Sequence, residues 1–104
     1  MHTELLKSAL QELNPDIGEV EWLAIKDSLT ARTLKRKDHL FQEGEVQQYI
    51  GFINQGLIRE FFIDQDGDEN TVWFFQERSF VTDYSSFLHN KPTKNTFKCL
   101  EETE

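Results

Sequence analysis

The feature that most constrains this chain is a change of hydrophobic period near residue 29. Before it, Leu5, Leu6, Ala9, Leu10 and Leu13 recur at helical spacing and form one apolar stripe. Asn14-Pro15 breaks that helix. Asp16 then reads as the N-cap of a second helix, with Glu19 three residues on as its capping-box partner. Val20, Leu23 and Ala24 follow, and Trp22 and Ile25 widen the apolar side. From Leu29 onward the period is two, with Leu29, Ala31 and Thr33 alternating with polar partners. The chain therefore reads as a helical lead-in over residues 1–28 and a β domain over residues 29–104. Its 104 residues suit a single domain overall.

Turn signals cut the β region into short strands. His39-Leu40-Phe41 precedes the turn Gln42-Glu43-Gly44-Glu45, and residues 49–53 precede Asn54-Gln55-Gly56. Residues 57–63 and 71–75 flank the polar turn Asp64-Gln65-Asp66-Gly67-Asp68 and read as a hairpin. Phe80 and residues 82–88 read as a short helical turn or loop, Asn90-Lys91-Pro92 as a turn, and residues 95–100 as a last strand. Strands at this spacing imply a sandwich or barrel. Nine Phe, two Trp and two Tyr supply the large core pieces. Alternation places Leu57, Arg59, Phe61 and Ile63 on one face and Ile58, Glu60 and Phe62 on the other. Leu57, Phe61, Val72 and Phe74 are expected to be buried, and Arg59 to find a carboxylate or a ligand anion.

Several function classes are excluded or weakened by composition. One cysteine, Cys99, allows neither an internal disulfide nor an all-cysteine metal site, and it reads as a small core residue. No apolar run approaches the roughly 18–20 residues of a membrane span, and the N-terminus lacks the pattern of a signal peptide. The expected compartment is the cytoplasm, with no membrane partner. Eleven Lys and Arg against nineteen Asp and Glu give a net charge of −8, and the cluster Arg32, Lys35, Arg36, Lys37 reads as a solvated strand end. Specific DNA binding by this chain alone is not expected.

Chemical motifs are equally sparse. Asp66, Asp68, Asn70 and Glu77 have the spacing of a calcium loop, but Thr71 stands where the sharp turn needs Gly and the flanks read as strands. His2, His39 and His89 are far apart and make no His-x-His or His-Glu-x-x-His pattern. No phosphate loop, dinucleotide fingerprint or nucleophile elbow is present. The reading is of no catalytic residue, no metal and no cofactor.

What remains is a glycine-punctuated β pattern. Phe41-Gln42-Glu43-Gly44-Glu45, Tyr49-Ile50-Gly51-Phe52-Ile53-Asn54-Gln55-Gly56, Ile63-Asp64-Gln65-Asp66-Gly67-Asp68-Glu69 and Phe80-Val81-Thr82-Asp83 follow in order. This series resembles the cyclic-nucleotide-binding domain, and more narrowly the sensor domain of Crp/Fnr-type bacterial transcription regulators, over roughly residues 5–104. The resemblance implies a mainly β fold with N-terminal helices, a double-stranded β-helix or jelly roll. It also implies a chain that stops before the roll's last strand, with the dimerisation helix and the helix-turn-helix absent. Such a regulator works as a homodimer and reads DNA through a domain outside this chain. Its sensor domain answers to a small-molecule effector.

The family's nucleotide binders carry a Gly-Glu pair at the phosphate loop and an Arg followed by a small hydroxyl residue. Here the aligned positions read Thr82-Asp83 and Thr93-Lys94. Thr82 adds a β-branched side chain where close backbone approach is needed, and Asp83 is shorter than Glu by roughly 1.5 Å. Thr93 offers no charge to a phosphate, and Arg78 replaces the glycine usual before Phe80. Cyclic AMP binding in the family's usual way is therefore not expected. Thr82, Asp83, Tyr84, Thr93, Lys94, Trp73 and Arg59 are the candidate lining of a differently tuned pocket. The alternatives are an interaction module of the same fold whose pocket is filled by its own side chains, and a cupin-like metal enzyme.

Overall fold

The computed structural model describes residues 2–104. The chain divides into two compact units, residues 1–32 and 33–104. In the first, α1 (Glu4–Leu13) buries Leu6 and Ala9, and α2 (Glu19–Asp27) buries Trp22. Leu5 and Leu13, expected in the apolar stripe, are exposed. Lys7 ties the two helices, reaching Glu19 Oε2 at 3.5 Å while its ammonium lies 5.9 Å from the centre of the Trp22 ring. The expected Asp16–Glu19 cap is displaced by two residues. Asn14 Oδ1 accepts from Asp16 N–H and Asn14 O from Ile17 N–H, so a turn occupies residues 14–17. Gly18 becomes the N-cap, and Glu21 Oε2 accepts its N–H at 3.1 Å.

The second unit is mainly β and antiparallel. Strands β1 (His39–Phe41), β2 (Gly51–Phe52), β3 (Ile58–Ile63), β4 (Glu69–Phe75), β5 (Phe80–Val81) and β6 (Thr96–Cys99) make two sheets, with α3 (Tyr84–His89) following β5. One sheet has four strands in the order β1-β6-β3-β4, and the other pairs β2 with β5. The expected hairpin is β3–β4. Asp64 Oδ1 accepts the N–H groups of Asp66 and Asp68 in its turn, and Gly67 takes a left-handed φ of 85° there. The expected strand at residues 29–33 does not form. A strand exists only through a partner, and the pairing there is a single bridge from Leu34 to Thr103.

The core holds Phe41, Ile53, Ile58, Val81, Phe97 and Cys99. Phe97 stands at its centre, edge-on to Phe41 with ring centres 5.6 Å apart. Ile58 and Glu60 lie opposite Cys99 and Phe97, so they share the core-facing side of the four-stranded sheet. Arg59 and Phe61 take the outer side. The expected burial holds for Phe61 and in part for Leu57, which is half-buried, but fails on β4, where Val72 is 46% and Phe74 52% exposed. Phe74 is the outer-face partner of Arg59, and among the described residues β4 is an edge strand with a neighbour on one side only. Val72 is an extra residue at a β-bulge, where the register steps from Glu60–Trp73 to Phe61–Thr71. Arg59 does meet a carboxylate, Glu69 Oε1 at 2.6 Å, and its guanidinium covers the Phe61 ring.

Gly56 holds the chain end against the sheet. Its φ is 127°, and a Cβ there would lie 2.6 Å from Thr103 Cα. Thr103 exchanges both backbone hydrogen bonds with Leu34, while Thr103 Oγ1 accepts Leu57 N–H.

Candidate functional site

The end of β5, the start of α3 and the segment before β6 meet in one hydrogen-bonded group. Asp83 is the N-cap of α3, and its Oδ1 accepts from Ser85 N–H at 3.1 Å and Ser86 N–H at 3.4 Å. Its other oxygen, Oδ2, accepts from Thr93 Oγ1 at 2.7 Å. Thr93 Oγ1 also takes Asn95 N–H at 3.2 Å, and Asn95 Nδ2 donates to Glu60 Oε2 at 2.7 Å. Glu60, Asn95, Thr93 and Asp83 thus form one chain of bonds from the core side of β3 to the α3 N-terminus.

Gln47 closes the far side. Its buried Oε1 accepts Asp83 N–H at 2.7 Å and Thr82 Oγ1 at 3.0 Å. The Gln47 Nε2 donor has no hydrogen-bond partner among the described residues. Thr93 is held by exchange with the turn after β1, its N–H donating to Glu45 O and its carbonyl accepting Gly44 N–H, each at 2.8 Å.

Electrostatically the group is anionic. Burial pushes the Glu60 carboxyl above its ordinary pKa, the Asn95 hydrogen bond opposes this, and the Asp83 charge adds to the rise. None of the hydrogen bonds to Asp83 or Glu60 comes from a cationic side chain. A helix N-terminus attracts anions, and here the chain's own carboxylate fills that position.

The structure therefore brings Thr82, Asp83 and Thr93 together. Tyr84 begins α3 and is exposed, and Lys94 is exposed beside the group. Trp73 lies across from Glu60 on the core-facing side, yet is 62% exposed. Arg59 is on the opposite side of the sheet, spent on Glu69. Glu60, Asn95 and Gln47 were missed by sequence reasoning. Glu60 carried a signal, since it alternates with Ile58 and Phe62. Gln47, in an irregular segment, carried none.

Asp64, Asp66 and Asp68 also place carboxylate oxygens within 4.8 Å of one another. The Asp64 carboxylate is committed to its own turn: the Asn70 amide, then the N–H groups of that turn, hold it below its usual pKa.

Residues 31–104 match the cyclic nucleotide-binding domain. The chain belongs to that family. The sensor domain of the transcriptional regulator DNR from Pseudomonas aeruginosa is similar, with a TM-score of 0.82, 18% identity, and coverage of 98% of this chain and 67% of that one. So is the N-terminal domain of a transcriptional regulator from Streptomyces coelicolor A3(2), with a TM-score of 0.73, 22% identity, and coverage of 86% and 63%. The regulatory domain of Toxoplasma gondii PKA, co-crystallised with cAMP, has a TM-score of 0.81, 16% identity, and coverage of 97% and 39%. This cyclic nucleotide-binding-type chain spans less than two thirds of the length of the last two. No curated protein matches it. No helix among the described residues is long and apolar enough to cross a membrane.

Proposed function

We propose that the chain is the effector-sensing domain of a Crp/Fnr-type transcription regulator, and that it does not take a cyclic nucleotide in the family's usual way. The observation that carries this is the Asp83 carboxylate seated on the N–H groups of Ser85 and Ser86 and bonded to Thr93. An incoming cyclic phosphate would have to displace that carboxylate and face Glu60 behind it. Losing a charge-assisted phosphate contact costs roughly 1.5–3 kcal/mol, about 10–200-fold in affinity.

The effector, on this reading, is a small molecule without a phosphate at that position. The domain has a regulatory and not a catalytic role. The regulator acts in the cytoplasm as a homodimer and reads DNA through residues outside this chain. The neighbouring regulator domains support the reading through their shared fold. A second reading, an interaction module with a self-filled pocket, is favoured by the hydrogen bonds that Gln47 Oε1, Thr82, Asp83 and Thr93 make among themselves.

Calorimetry with cyclic AMP and cyclic GMP tests the first claim. No heat of binding is expected from the natural chain, and gain of binding is expected when Thr82→Gly, Asp83→Glu and Thr93→Arg are combined. Micromolar binding by the unaltered chain would overturn it. A small molecule that co-purifies with the chain would favour the sensor over the interaction module.

A further inference from the structure

Glu60 stands where cover on the core-facing side of the four-stranded sheet ends. To one side of it are Ile58 and Phe97, packed with Ile53 and Val81 in the core. To the other are Phe62, two residues along the same strand, and Trp73, its partner on β4, and both are exposed. The Trp73 side chain makes no hydrogen bond or ring contact among the described residues. Directly opposed residues of an antiparallel pair hold their Cβ atoms about 4.5–5.5 Å apart, so the indole and the carboxylate share one site.

Glu60 itself is only 8% exposed. Its Oε2 accepts from Asn95 Nδ2 at 2.7 Å. Its Oε1 has no hydrogen-bond partner among the described residues, yet it is not sealed from solvent as Gln47 Nε2 is. A carboxylate this buried needs a cation or several donors to replace its hydration. Among the described residues no ion pair reaches Glu60 or Asp83, and the Asp83 charge acts on Glu60 from the α3 side.

The open oxygen, the missing counter-charge and the bare aromatic face select what fits. One free oxygen cannot take a guanidinium bidentately, since the planar fork uses both. A hard metal cation wants several oxygens, and here an indole stands in the next position. An ammonium can bind a single carboxylate oxygen and also gains from an aromatic face. We propose that the effector is a primary amine with an apolar body, its ammonium on Glu60 Oε1 and its body on Trp73 and Phe62. This inference rests on the sensor reading above and gives that effector its chemical class.

The test is titration of the isotope-labelled chain with phenethylamine, followed residue by residue by NMR. Saturable shifts are expected at Glu60, the Asn95 side-chain amide and the Trp73 indole N–H. Phenethyl alcohol keeps the ring and loses the charge, and it should bind roughly tenfold or more weakly. Hydrocinnamate, with a carboxylate in place of the ammonium, should leave these residues unshifted. Glu60→Gln should weaken phenethylamine roughly tenfold or more, and Trp73→Ala about two- to fivefold, with the remaining spectrum showing that each variant stays folded. No saturable shift at these residues, the alcohol matching the amine, or Glu60→Gln binding like the natural chain would overturn the inference and leave the sensor reading standing. Cyclic AMP shifting the same residues of the natural chain would overturn both.

Discussion

Glu60 loses hydration by facing the core, and one amide from Asn95 only partly replaces it. With its pKa raised in the folded chain, the unfolded chain ionises first as pH rises. Folding stability therefore falls from the ordinary carboxylate pKa upward to the raised folded value, and stays lower above it. Glu60→Gln keeps an acceptor for Asn95 and removes the charge. It should melt higher than the natural chain at neutral pH, with the gap closing as pH drops below the ordinary carboxylate range. Thermal melts across pH check this. Lys37 offers a second test, because it is exposed and holds a left-handed φ of 77°. That conformation costs a side-chain-bearing residue roughly 1–2 kcal/mol, and glycine's extra freedom when unfolded returns about 0.5–1 kcal/mol of it. Lys37→Gly should gain about 0.5–1 kcal/mol in urea unfolding. Arg78 has the same conformation, with a φ of 70°, where the family pattern has glycine. Thr82, Asp83 and Thr93 were legible in the sequence because they stand at aligned turn positions. The bonds of Gln47 to Thr82 and Asp83 and of Asn95 to Glu60 were not, because they join residues 35 or 36 apart in the chain.

Among the elements, the β3–β4 hairpin was readable because its register is set locally, by an Asp-rich turn with one glycine. Which side of it faces the core was not readable. That depends on β6, which inserts Phe97 and Cys99 against Glu60 and Ile58 from far along the sequence. Edge position is equally non-local, and it accounts for the exposure of Val72 and Phe74. The alternation at residues 29–33 marked a strand that found no ladder, since alternation reports a half-buried surface and not a partner. Strand β6 is central to the four-stranded sheet, and Phe97 within it is fully buried among aromatic rings. Phe97→Ala should cost about 3–5 kcal/mol, a large part of the stability of a domain this size. Denaturant titration measures it, and a loss under about 1 kcal/mol would mean that Phe97 does not anchor the core.

At the level of the whole molecule, a net charge of −8 opposes the phosphate contacts that supply most sequence-independent DNA affinity. Fluorescence anisotropy of short labelled duplexes should stay flat when this chain is added, even at low salt. A saturable, salt-sensitive rise would contradict that expectation. The bulged edge strand has a different bearing, on storage and handling. Residues 71–75 form an uncharged run with neither proline nor glycine, and Glu69 and Glu77 stand on either side. Such runs template cross-β growth once an edge is free, and a bulge with flanking charge is what slows the addition of each new chain. Concentrated stocks should therefore spoil by fibril growth from this strand while the fold itself is intact. Glu69→Gln with Glu77→Gln should shorten the lag in a thioflavin assay, and Val72→Lys should lengthen it.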